Sequence, residues 1–114
     1  MYRPVLSPAL IDQLITQGRE LGKVGKWNEA IKLFDRLVLA YPNNANILTG
    51  YAKAMRDSHQ YQRASNLFED SLEIDPNDIH TVLGYIRVLI EQGRISRIDE
   101  ILAIPLKYNP KNIY

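Results

Sequence analysis

Apolar residues recur along this chain with the three- and four-residue spacing of amphipathic helices, and no segment alternates for long with the period of two that a strand requires. The pattern predicts six helices, near residues 8–23, 26–41, 44–58, 61–74, 78–92 and from 95 onward. The expected N-caps are Ser7, followed by Pro8 at the first helical position, then Asn43 or Asn44, and Asn77 or Asp78. Short turns make neighbouring helices antiparallel, so we expect an all-α protein.

The helical pattern repeats. The chain has prolines at a constant spacing of 34 residues, at Pro42, Pro76 and Pro110. Proline cannot continue a helix interior, because it lacks the N–H and its ring clashes with the preceding turn. The columns that align at this interval are Leu14, Leu48 and Val82; Leu21, Met55 and Leu89; Trp27, Tyr61 and Ile95; Ala30, Ala64 and Ile98; Phe34, Phe68 and Leu102; and Gly25, His59 and Gly93. One helical hairpin is therefore copied in tandem.

In these columns the chain resembles the tetratricopeptide repeat family, whose pattern runs from large apolar through small residues to Ala, aromatic and Pro within 34 residues. The resemblance covers residues 11–112 as three repeats, 11–44, 45–78 and 79–112. Residues 1–10 form a lead-in, and residues 113–114 fall where a truncated fourth repeat would start. The resemblance implies a right-handed superhelical solenoid of three antiparallel helix-turn-helix repeats.

The third repeat departs most from the family pattern. Ile86 and Ile98 replace small residues, and Pro105 is expected to kink or end the sixth helix. In the first repeat, Gln17 stands where a Leu or Tyr is usual.

Composition narrows the function classes. The chain has 114 residues, a formal net charge of +1 and no cysteine, which excludes disulfides and thiolate chemistry. No secretory signal or membrane-spanning run is visible, so we expect a cytoplasmic protein without membrane contact. The near-neutral charge and the acidic fourth helix disfavour nucleic acid as a partner.

Catalytic chemistry has no support in the sequence. His59 and His80 have no second histidine at helical metal spacing, and no nucleophile or phosphate-loop motif is present. Close helix packing explains Gly18, Gly22 and Gly25 better than phosphate binding does. We therefore expect no enzyme, no cofactor and no metal.

The first helix of each repeat has a second face opposite its apolar columns. In the tetratricopeptide family this face lines the concave groove that holds peptides, and the resemblance implies an adaptor or scaffold that binds another protein. The partner-binding residues that it implies are Arg19, Lys23, Asn46, Thr49, Lys53, Arg56, His80, Leu83 and Arg87.

One groove column carries a cation in every repeat, Arg19, Lys53 and Arg87. Packed helices lie about 8–10 Å apart, and an extended peptide advances about 3.3 Å per residue. The column would therefore offer a positive charge every few residues of a ligand, which predicts an acidic or carboxylate-bearing partner segment. The alternative is that these cations only solvate the helices. The Lys and Asn set with which family members clamp chaperone tails is absent.

The end of the third repeat suggests a different function. Ile95, Leu102 and Leu106 have no evident intramolecular cover, so either the sequence is cut from a longer array or another chain covers this end. The alternative function is therefore a structural module that self-associates into a homo-oligomer through its C-terminal repeat.

Overall fold

A computed structural model describes residues 5–100 and 102, and within them every regular element is helical. Five helices have defined bounds: α1 Pro8–Lys23, α2 Trp27–Ala40, α3 Ala45–Asp57, α4 Tyr61–Ile74 and α5 Ile79–Glu91. Residues 96–100 and 102 are also helical, where the sequence predicts the sixth helix. The predictions that concern Pro105, Leu106, Pro110 and the start of a fourth repeat lie outside the described residues.

The helix starts follow from short polar side chains. Ser7 Oγ accepts a hydrogen bond from the Leu10 amide at 3.2 Å. Asn44 Oδ1 accepts from the Ile47 amide at 3.1 Å, which selects Asn44 over Asn43 as the cap of α3. Asp78 caps α5 in the same way, because its carboxylate accepts from the His80 amide. These bonds satisfy amides that have no partner within the helix.

The turn inside each repeat ends its first helix with one left-handed residue. Gly25, His59 and Gly93 occupy the same repeat column and have φ angles of 84°, 61° and 72°. Glycine adopts this conformation without the steric cost of a Cβ. A Cβ at Gly25 would meet nothing within 4 Å, so the expectation that close packing explains Gly25 is wrong and the turn explains it instead.

The helices form an array of stacked antiparallel hairpins. Helix α3 lies at the centre and contacts α1, α2, α4 and α5. The core runs continuously through the repeats, and its largest fully buried members are Phe34, Ile47, Met55, Phe68, Tyr85 and Leu89. Most of them lie in the apolar columns that the 34-residue period aligns. This confirms the predicted helix-turn-helix solenoid.

Glycine lets α1 approach α3 closely. A Cβ on Gly22 would lie 3.0 Å from the carbonyl oxygen of Ala54, and a Cβ on Gly50 would collide with Ile15. Helices α3 and α5 approach each other at far fewer places. The column that holds Gly22 in α1 holds Arg56 in α3, and this longer side chain extends toward Gly84 of α5. The array is therefore more open between α3 and α5 than between α1 and α3.

No helix among the described residues has both the length and the apolar character that crossing a membrane requires.

Candidate ligand-binding groove

Helices α1, α3 and α5 lie side by side and form one face with two adjoining pockets. The first, here the mixed-charge pocket, has a volume of about 320 Å³. Its lining residues are Asp12, Ile15, Thr16, Arg19, Asn46, Thr49, Gly50, Lys53, Asp78 and His80. The second, here the cationic pocket, has a volume of about 190 Å³. Its lining residues are Arg19, Lys53, Arg56, His80, Leu83, Gly84 and Arg87.

Three helices supply cations to the cationic pocket. Arg19 comes from α1, Lys53 and Arg56 come from α3, and Arg87 comes from α5. Its described lining contains no carboxylate, whereas Asp12 and Asp78 line the mixed-charge pocket. The groove is therefore divided into a mixed-charge half and a purely cationic half.

Lys53 lies at the centre of this positive field. Partial burial of its ammonium lowers the pKa of Lys53, and the neighbouring charges of Arg19, Arg56 and Arg87 lower it further, while Asp78 opposes them. Burial and like charges both disfavour the protonated form. A bound anion would offset the repulsion between these cations and favour the protonated form of Lys53.

Arg19 contributes a donor that nothing within the described residues satisfies. Its Nε is buried and has no hydrogen-bond partner there. A buried polar group without a partner retains most of its desolvation cost, about 1–3 kcal/mol. An acceptor atom from a ligand in the adjoining pockets would offset that cost.

Ion pairing inside the described part of the chain leaves three of the groove cations available. Lys23 pairs with Glu20 at 3.6 Å, and Arg56 approaches Asp57 at 3.7 Å. Arg19, Lys53 and Arg87 form no ion pair with another described residue. These three are the cation column that the repeat alignment predicts.

The structure brings eight of the nine predicted partner-binding residues together on the lining of the two pockets. These are Arg19, Asn46, Thr49, Lys53, Arg56, His80, Leu83 and Arg87. Lys23 lines neither pocket, because it lies at the end of α1 and its ammonium faces Glu20.

Thr49 lines the mixed-charge pocket as part of its floor. It is only 7% exposed, because α3, α4 and α5 converge above it. Its hydroxyl lies 2.7 Å from that of Ser71 and 2.8 Å from that of Thr81. The Ser71 hydroxyl also donates to the Ala45 carbonyl. The Thr49 hydroxyl therefore joins α3 to α4 and α5 in the floor of the groove.

Two hydrogen-bonded clusters lie away from the groove, and sequence reasoning missed both of them. Each joins an acidic residue, a tyrosine and an arginine, and is here called a strap. The Tyr51 hydroxyl donates to Asp35 at 2.8 Å and accepts from Arg63 at 3.0 Å. Burial, then the hydrogen bond to Asp35, raises the pKa of Tyr51 to about 12.

The second strap uses the same repeat columns. The Tyr85 hydroxyl donates to Glu69, and Arg97 approaches it. Burial, then the bond to Glu69, raises the pKa of Tyr85. The recurrence of tyrosine, arginine and acid at the 34-residue interval was the signal that could have revealed these straps from sequence.

The C-terminal end presents apolar residues. Ile95 is 57% exposed and Leu102 is 46% exposed, while Leu106 lies outside the described residues. On α5, Ile79, Leu83 and Ile90 are also about half exposed and share one side of the helix with Ile86. The equivalent columns in α1 hold Ile15 and Gly22, which contact α3.

Comparison with known proteins agrees with this architecture. The family model described as tetratricopeptide repeat matches residues 55–113, which is more than half of the chain. No curated protein matches the sequence at a significant level. Repeats of this family generally mediate protein–protein interaction and carry no catalytic machinery of their own. On its stacked hairpins and this match, the chain belongs to the tetratricopeptide repeat family.

Proposed function

We propose that the groove of α1, α3 and α5 binds an acidic segment of another protein, so that the chain acts as an adaptor or scaffold. The observation that carries this proposal is the convergence of Arg19, Lys53, Arg56 and Arg87 from three helices on one pocket. Cations that only solvated their helices would point apart and find carboxylates nearby. Here they lie close enough to lower the pKa of Lys53 together.

The groove supports a ligand of modest affinity that depends on salt. Its cations are partly exposed, and charges in such positions are screened at physiological ionic strength. Arginine forks give the carboxylate two hydrogen bonds at once, which fixes its orientation. Half-exposed Leu83, beside the cations, adds an apolar contact for a neighbouring ligand side chain.

The test is a charge reversal of the cation column. The variant Arg19→Glu, Lys53→Glu, Arg87→Glu is titrated with a short peptide that carries two or three glutamates among glycine and alanine. The matched control, Lys26→Glu, Lys32→Glu, Arg36→Glu, changes net charge equally on exposed residues outside both pockets. We expect at least tenfold weaker binding in the groove variant alone. Equal affinity in the two variants would remove the proposal, provided that circular dichroism shows both folded.

Self-association through the C-terminal repeat is the second candidate function. The exposed side of α5, formed by Ile79, Leu83, Ile86 and Ile90, favours it, because the same columns in α1 pack against the next repeat. Sedimentation equilibrium across a hundredfold concentration range tests it. We expect concentration-dependent mass that Ile90→Glu, Ile95→Glu abolishes. A strict monomer throughout would eliminate this candidate and leave the groove proposal standing.

A further inference from the structure

The two halves of the groove differ in charge, and this difference restricts what an acidic ligand can look like. A run of carboxylates laid across the groove would pass both pockets. In the mixed-charge pocket it would meet Asp12 and Asp78, which repel it. In the cationic pocket it would meet four cations and no described carboxylate. The arrangement suits one concentrated negative charge with neutral neighbours better than a long acidic run.

The number of donors around the cationic pocket exceeds what one carboxylate can use. Each guanidinium carries five N–H donors and each ammonium carries three. A carboxylate offers one negative charge on two oxygens. A phosphoryl group offers three acceptor oxygens and a charge of about −1.5 to −2 at neutral pH.

The pocket also has the size and the unmet bonding for such a group. Its volume of about 190 Å³ corresponds to about six water molecules at ~30 Å³ each, which accommodates a tetrahedral oxyanion. The buried Nε of Arg19 has no acceptor among the described residues. Arg19, Lys53 and Arg87 approach the space from three different helices, as the oxygens of a tetrahedral group require.

Resting on the proposed groove function, we propose that the cationic pocket recognises a single phosphorylated serine or threonine in a partner segment whose adjacent residues are uncharged. The phosphoryl oxygens accept from Arg19, Lys53 and Arg87. Arg56, which extends from α3 toward Gly84 of α5, forms the wall beside them. The flanking residues pass over Leu83 on one side and the mixed-charge pocket on the other.

The experiment compares four probes on the whole chain by NMR titration of its backbone amides. They are a ten-residue peptide of glycine, alanine and one central serine, the same peptide with phosphoserine, the same peptide with three central glutamates, and inorganic phosphate. We expect the phosphoserine peptide to bind at least tenfold more tightly than the glutamate peptide. The largest shifts should lie at Lys53, Gly84 and Arg87.

Single substitutions then locate the site. Arg87→Gln changes an exposed side chain at the mouth of the pocket, so the fold should survive, and the phosphoserine peptide should bind about tenfold more weakly. Lys32→Gln removes an equally exposed cation of α2 outside both pockets and should leave the affinity unchanged.

Each contrary result has a distinct meaning. Equal or tighter binding of the glutamate peptide overturns the phosphoserine proposal and leaves the acidic-segment function intact. Inorganic phosphate that binds as tightly as the phosphoserine peptide also overturns it, since the flanking residues would then contribute nothing. If neither charged peptide binds, both the proposal and the groove function fail.

Discussion

The first junction joins repeats one and two, and the second junction joins repeats two and three. The two are alike on the side of the array away from the groove and different on the groove side. Away from the groove, both have an acid–tyrosine–arginine strap and a phenylalanine stacked on that tyrosine, with ring centroids 5.0 Å apart for Phe34–Tyr51 and 6.2 Å for Phe68–Tyr85. On the groove side, Gly22 lies against the backbone of Ala54 at the first junction, whereas the same repeat column at the second junction holds Arg56, whose guanidinium lies near Gly84. The straps are therefore common to both junctions, while the groove side differs between them.

That difference coincides with the position of the cationic pocket. Where Gly22 contacts the backbone of Ala54, α1 lies directly against α3, and the mixed-charge pocket lies beside this contact, along the part of α1 from Asp12 to Arg19. Where Arg56 occupies the same column, α3 and α5 leave room for the cationic pocket. A solenoid of identical junctions would have a uniform groove, whereas the two pockets of this groove differ in charge and in volume.

Removal of the phenylalanine at each junction should have the largest effect. Phe34 and Phe68 are fully buried, and Phe→Ala in a core typically costs about 3–5 kcal/mol. We expect Phe34→Ala to cost more than Phe68→Ala, because Phe34 lies against both Gly18 and Gly50 at the tighter junction. Urea unfolding of both variants measures the difference. An equal loss would show that the two junctions have the same packing energy despite their different geometry.

A substitution at Gly22 should break the close junction selectively. The Cβ of Gly22→Val would press on the backbone of Ala54, and overpacking of this kind costs about 1–3 kcal/mol. The matched control is Ile90→Val in the same repeat column of α5, where the side chain is half exposed, and it should change the free energy of unfolding by less than about 0.5 kcal/mol. Thermal unfolding of the two variants checks this, and equal melting temperatures would contradict the inferred close approach.

Thr49→Val should weaken the second junction, where Thr49 makes hydroxyl contacts in the repeat column that holds Ile15 at the first junction. It removes the contacts of Thr49 with Ser71 and Thr81. Because both of these hydroxyls donate elsewhere, to the Ala45 carbonyl and to Asp78, Thr49 supplies one proton to the network, and we expect a loss of about 0.5–1.5 kcal/mol. Thr16→Val is the control, since Thr16 is exposed and bonds only to the Asp12 carbonyl of its own helix. Denaturant midpoints that shift equally for both would show that the buried network adds nothing.

The strap at the first junction should make stability depend on pH in the alkaline range. Because the folded-state pKa of Tyr51 is raised from 10.0 to about 12, the folded protein keeps a proton that the unfolded chain loses. Its contribution is therefore complete below pH 10 and is lost as the pH rises through about 12. Unfolding curves between pH 8 and 12 should show a steeper decline for the parent than for Tyr51→Phe. Parallel declines would mean that Tyr51 titrates normally.

Much of the fold was predictable because its signals are local or periodic. The interval of 34 residues between Pro42 and Pro76 is a periodic signal. The caps at Ser7 and Asn44 are local signals, because each depends on residues close in sequence. The helix bounds therefore follow from the sequence within a residue or two. The groove cations were also predictable, since a repeated column must lie on one side of a stacked array.

Other features needed contacts between helices. Thr49 falls on the groove face of a helical wheel, but only the packing of α4 and α5 shows that it is buried. The straps were missed because each joins residues from two or three helices. Whether Arg56 faces solvent or holds two helices apart depends on how near the next repeat approaches.

The sequence alone determined the class of protein, the repeat, the helix limits and the cation column, because these depend on periodicity and on capping within a few residues. The tertiary structure alone decided that the two junctions differ and that the cations meet at one pocket. The physical reason is that interhelical spacing depends on side-chain volume at the contact between repeats, where glycine and arginine differ most.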